Sequence, residues 1–154
     1  MSPDEIRAKV QCLETKLVSE EETAWNELRP LGVEVVPYLR EAYPKFKLWQ
    51  GRVSLVYHSV RYARTSDDAF QLGIAAINDR ATLVRYRACG LLAYSLRKDA
   101  IPVLQTIVNH KDIKTAEDAQ AAIDAINNQN HHFFRDRDHS GQVFWDVNES
   151  DRDA

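Results

Sequence analysis

Cysteine, glycine, proline and methionine are all scarce, at 2, 5, 5 and 1 among 154 residues. Two cysteines cannot build a disulfide scaffold. Cys12 and Cys89 lie far apart among helix formers, so free, buried thiols in a reducing cytoplasm are expected. The low Gly and Pro content excludes collagen-like and low-complexity chains. Long apolar runs are missing too, none approaching the ~20 residues that span a bilayer. The start, Met1-Ser2-Pro3-Asp4-Glu5, is acidic where a secretory signal needs an apolar stretch. A single cytoplasmic domain without membrane contact is expected.

Net charge is small as well, at −3, but it is unevenly placed. Residues 1–35 carry 4 basic and 8 acidic side chains, residues 36–114 carry 13 and 6, and residues 115–154 carry 3 and 9. This acidic–basic–acidic order gives a partner a local field of one sign despite the near-neutral total.

What the chain does have is apolar content, 44%, arranged with helical periodicity. Ser2-Pro3-Asp4-Glu5 is a capping box with Pro in the first turn, followed by the stripe Ile6, Val10, Leu13 and Leu17. Ser19 with Glu22 predicts a second capping box, ahead of Ala24, Trp25 and Leu28. Further helices are expected over about 33–43, 49–64, 66–77, 82–97, 99–109 and 113–127, the fifth capped by Ser66. Eight helices with short links make the chain all-α. A shift of 31 residues aligns Asp68-Ala69 with Asp99-Ala100, Leu72 with Val103, Ile77-Asn78 with Val108-Asn109, and Ala88 with Ala119. Each unit is a helix pair that buries its apolar stripe only by stacking on its neighbours.

Asp99-Ala100-Ile101-Pro102-Val103-Leu104 and Asp79…Val84-Arg85…Ala88…Leu91-Leu92 resemble HEAT repeats of the short, phycobilisome-lyase-like type, over roughly residues 33–126. The resemblance implies a HEAT-like α-solenoid of about four helix pairs. It also implies an Asp–Arg ladder between repeats through Asp79 and Arg85, which lapses where Thr115-Ala116 replace Val84-Arg85. The expected divisions are a repeat domain over 1–129, a C-terminal β-hairpin cap over 130–147 and a flexible acidic tail over 148–154. The hairpin rests on two aromatic runs flanking a polar loop that ends at Gly141, with Phe134, Val143 and Trp145 covering the last repeat.

Binding surfaces of solenoids lie on the second helix of each pair. A helical wheel places Val84, Ala88, Leu91, Leu92 and Ser95 inward, and Tyr86, Arg87, Gly90, Tyr94 and Arg97 on the opposite side. The preceding inner helix presents Ser54, His58, Arg61 and Tyr62, and the last presents Glu117 and Asp124. His58, Arg61, Tyr62, Tyr86, Arg87, Tyr94, Arg97, Glu117 and Asp124 are therefore the candidate partner-binding residues. Tyr and Arg bury large area at small entropic cost and keep a polar tip.

Competing chemistry finds less support. Asp136, Asp138 and Ser140 match the first half of an EF-hand calcium loop, but Val147 stands where a bidentate carboxylate belongs. An Asx-rich turn explains the same residues. His131, His132 and His139 lack zinc-site spacing. No nucleophile elbow, P-loop or dinucleotide fingerprint occurs, so no cofactor and no enzymatic activity are expected. A pI near 5.9 and acidic flanks argue against nucleic acid.

A HEAT-like body followed by residues 131–145, His-His-Phe-Phe-Arg-Asp-Arg-Asp-His-Ser-Gly-Gln-Val-Phe-Trp, resembles small immunity proteins of bacterial polymorphic toxin systems of the Rhs or contact-dependent type. The resemblance implies stoichiometric neutralisation of a cognate toxin domain through the concave face by a protein that is monomeric when free. A scaffold or adaptor role is the alternative.

Overall fold

Ser2 opens the first helix as expected. Its Oγ accepts the Glu5 N–H, and the Glu5 carboxylate accepts the Ser2 N–H. The computed structural model describes residues 1–153, with eight α-helices: α1 (Pro3–Gln11), α2 (Val18–Leu28), α3 (Val36–Ala42), α4 (Trp49–Ser59), α5 (Asp67–Ala76), α6 (Thr82–Ser95), α7 (Ile101–Gln105) and α8 (Ile113–Asn127). Short 3₁₀ turns complete several of them. Arg29–Val35 leads into α3, and Val60–Tyr62 prolongs α4. Within the first of these, Gly32 takes φ 60°, a left-handed conformation that lets the chain reverse out of α2.

Local chemistry explains which boundaries hold. Ser66 caps α5, its Oγ accepting the Ala69 N–H, and Asp112 caps α8 through the Lys114 N–H. Ser19 does not cap α2. The helix already starts at Val18, so Ser19 lies inside it, and its carbonyl accepts the Thr23 hydroxyl. Cys12 corrects a second expectation, since it is exposed; only Cys89 is buried.

The helices pack in two layers. Helices α1, α3 and α5 pack successively in one layer, while α4, α6 and α8 pack side by side in the other, with α6 at the centre. The core runs unbroken between the layers, from Ile6 and Leu13 through Leu39, Leu55 and Leu72 to Leu92 and Ile126.

The polar ladder is built and extends further than its sequence pattern suggests. Arg52 donates to both oxygens of Asp79 at 2.8 and 3.2 Å. One repeat later Arg85 donates to Asp112 at 2.8 Å and to the Thr115 hydroxyl at 2.8 Å. Thr115, expected to mark the lapse, therefore closes the final step. Asp118 then pairs with Arg137 at 2.9 Å, with the charge order inverted.

No strand occurs among the described residues, so the β-hairpin cap is not formed. His131–Phe134 is a 3₁₀ turn, and side chains replace the ladder that a hairpin would use. His132 Nδ1 accepts the Trp145 N–H, and His131 Nε2 lies 2.8 Å from the Trp145 carbonyl. Phe134 and Trp145 cover Gly90 on α6, where an added Cβ would meet their rings at 3.2 and 3.4 Å. Val143, expected to cover the core, is exposed. Of the flexible tail expected over 148–154, residue 154 lies outside the described residues, and residues 148–152 are tied back through buried Asp151. Its carboxylate accepts the Tyr94 hydroxyl and the backbone N–H groups of Val147 and Asn148. No helix among the described residues is long and apolar enough to cross a membrane.

Candidate functional site

Tyr57 and His58 from α4, Arg61 just beyond it, and Tyr86, Arg87 and Gly90 from α6 form one wall and the floor of a groove of about 240 Å³. Arg135, Trp145, Asp146 and Val147 close it from the C-terminal segment. The groove lies on the inner-helix layer because successive α4 and α6 turns project those residues away from the core. The returning C-terminal segment then supplies the opposite rim. A second hollow continues from it past Tyr57, His58 and Arg87 to Lys16, Leu17, Val18, Gln50 and Val53. Gln50 Oε1, which borders this hollow, is buried without a hydrogen-bond partner.

Aromatic faces carry the cations. The Arg87 guanidinium lies 4.8 Å from the Tyr57 ring centroid and 5.4 Å from that of Tyr86, and Arg135 lies 5.6 Å from Trp145. His58 is held from below. It stacks on Trp25 at 3.8 Å, and its Nε2 lies 2.5 Å from Glu21 Oε1, which also accepts the Ser54 hydroxyl. Those contacts, the His58 hydrogen bond foremost, hold the Glu21 carboxyl below its ordinary range.

Four candidate residues, His58, Arg61, Tyr86 and Arg87, meet in this groove. The other five do not. Tyr94 is buried, because the C-terminal segment folds over its side of α6 and its hydroxyl bonds to Asp151 and Asn148. Tyr62 is half-buried against the core edge. Arg97 lies on the opposite side, stacked over Phe70 at 3.5 Å and paired with Asp67 and Asp99 at 3.0 and 2.7 Å. Glu117 borders a separate hollow with Leu83 and Lys114. Asp124 pairs with His139 and Asn128. Conversely, Tyr57, Arg135 and Trp145 belong to the groove and were not among the candidates. The neighbour relation of Tyr57 to His58 was a usable signal. Arg135 and Trp145 required the tertiary fold.

The metal candidates resolve into local bonding. Asp136 accepts the Ser140 N–H and hydroxyl on one oxygen and the Gly141 N–H on the other, an Asx-type turn. Among the described residues no group of three or more His, Cys, Asp or Glu side chains is placed to hold a metal ion. Cys89 is buried, and burial pushes its thiol up to about 12.

No protein family model and no curated protein matches the sequence. Among solved structures, human deoxyhypusine hydroxylase in complex with glycerol shares the fold, with a TM-score of 0.65 and 19% identity. The match covers 80% of this chain and 44% of that one, so the chain spans less than half the length of its neighbour. That neighbour is all-helical and HEAT-repeat-like, and the present fold is of the same kind. One expectation is corrected by this likeness. The chain was expected to have no enzymatic activity, yet the protein that shares its fold is an enzyme. Missing sequence motifs exclude only the chemistries that depend on them, and a helical-repeat framework carries catalysis elsewhere. At this identity the likeness establishes the fold and not an activity.

Proposed function

We propose that the protein is a binding module that seats a partner protein in the groove between α4, α6 and the C-terminal segment. The partner is a cognate toxin domain, bound one to one, as the resemblance of residues 131–145 to small immunity proteins implies. The observation that carries the binding reading is the groove's lining, in which guanidinium groups lie over the exposed Tyr57 ring and the half-buried Trp145 ring. Such residues dominate binding energy because they desolvate large, rigid surfaces and keep directional donors. Binding through the groove stands independently of any chemistry the fold also carries.

The test is a double variant, Tyr86→Ala with Arg87→Glu. Both side chains are half-buried and Tyr86 packs on the Phe134 ring at 5.7 Å, so helical content should be retained with melting lowered by only a few degrees. Calorimetric affinity for a toxin domain encoded by the adjacent upstream gene should be lost. Wild-type affinity in the double variant would overturn the proposal.

A further inference from the structure

Most arginines near the core are already paired. Arg52, Arg85 and Arg137 sit on carboxylates at 2.8–2.9 Å. Arg61, Arg87 and Arg135 differ, because none makes an ion pair or a side-chain hydrogen bond with another described residue, yet all three line one groove. The nearby carboxylates do not answer them. Asp146 lies 3.8 Å from Arg152, and Glu21 is engaged by Ser54 and His58. Arg87 and Arg135, held on aromatic faces, keep their in-plane N–H donors free, and such donors match carboxylates bidentately. The adjoining hollow is apolar on its far side, where Leu17 and Val18 are 58% and 70% exposed.

We propose that the groove takes an acidic segment of the partner, its carboxylates on Arg61, Arg87 and Arg135 and one apolar side chain in the hollow beside Leu17 and Val18. This rests on the reading of the groove as a protein-binding surface and specifies the chemistry of what enters it. A polyanionic nucleic acid fits less well. A phosphate backbone offers no apolar group for the hollow beside Leu17 and Val18.

Three synthetic peptides of about ten residues test this. They share one Leu and Trp frame and carry Glu, Ser or Lys at the remaining positions. Fluorescence anisotropy at about 50 and 300 mM salt reads the affinity. The Glu peptide should bind, should weaken roughly tenfold or more at the higher salt, should weaken roughly tenfold in Arg87→Glu, and should be lost in the triple Arg61→Glu, Arg87→Glu, Arg135→Glu variant. A control pair of reversals at exposed arginines outside the groove, Arg29→Glu with Arg80→Glu, should change it less than about twofold. Equal binding of all three peptides, with groove amides protected from hydrogen exchange, would overturn the charge assignment while leaving the groove a protein-binding surface. Glu-peptide binding that survives the triple reversal would overturn the location. Tighter binding of a single-stranded oligonucleotide than of the Glu peptide, or no peptide binding up to about 1 mM, would overturn the inference as well.

Discussion

Asp79 shows how much one buried side chain organises. Its carboxylate takes two bonds from Arg52 and one from the Tyr43 hydroxyl at 2.6 Å, and it accepts the Ala81 N–H. Burial works to raise its pKa, but the Arg52 and Tyr43 bonds outweigh that and hold it below the ordinary range. Burial and the Asp79 contact correspondingly push the Tyr43 phenol upward. Asp79→Ala would strand the buried Arg52 charge, and urea unfolding should report a loss of about 3–5 kcal/mol. Asp68→Ala, which breaks an exposed pair with Arg40, should cost under about 1 kcal/mol in the same assay. A loss at Asp79 no larger than at Asp68 would show that the ladder does not stabilise the stack. Tyr94 makes the complementary point. A helical wheel turns it outward, yet it is 2% exposed because Asp151 and Asn148 bond its hydroxyl. Tyr94→Phe leaves the Asp151 carboxylate short of a donor, so a cost of about 1–3 kcal/mol is expected, with faster hydrogen exchange at Val147 and Asn148.

The C-terminal segment is the element whose form periodicity could not give. Alternating aromatics read as a hairpin, but His131, His132 and Asp136 hand their side chains to the backbone and bend it instead. His131 gives that bend a pH dependence. Desolvation foremost, helped by His132 and Arg64, lowers its pKa, while the Trp145 carbonyl and Asp151 act against the shift. The folded protein therefore binds the His131 proton less readily than the unfolded chain does. His131 thus stabilises the fold fully above its unfolded value, about 6.5, and that contribution is lost as pH falls from there through the lower folded value. Melting temperature should drop on acidification below about pH 6.5, and the drop should shrink in His131→Gln. An identical pH profile in that variant would place the dependence elsewhere.

Eight stacked helices and a returning segment share one core, so the groove exists only in the assembled molecule. Deleting residues 130–154 uncovers Gly90 and the inner surface of α6 and α8, and removes Phe134 and Trp145 from their packing. Burial of two such aromatics is worth several kcal/mol, so a fall in melting temperature on the order of 10 °C is expected by calorimetry. An unchanged melting temperature would show that the segment packs without stabilising. The all-α class, the helix pairs, the Ser2 and Ser66 caps and the grouping of His58, Arg61, Tyr86 and Arg87 on one surface were readable from the chain, because 3.6-residue periodicity and capping act over a few neighbours. Which outward side chains stay outward was not. Tyr94 was covered, Arg97 was drawn to Asp67, and Arg135 and Trp145 were brought across to face Arg87, all by contacts between residues tens of positions apart. Local pattern sets which face of a helix is apolar; only packing between distant segments decides which polar face is left for a partner.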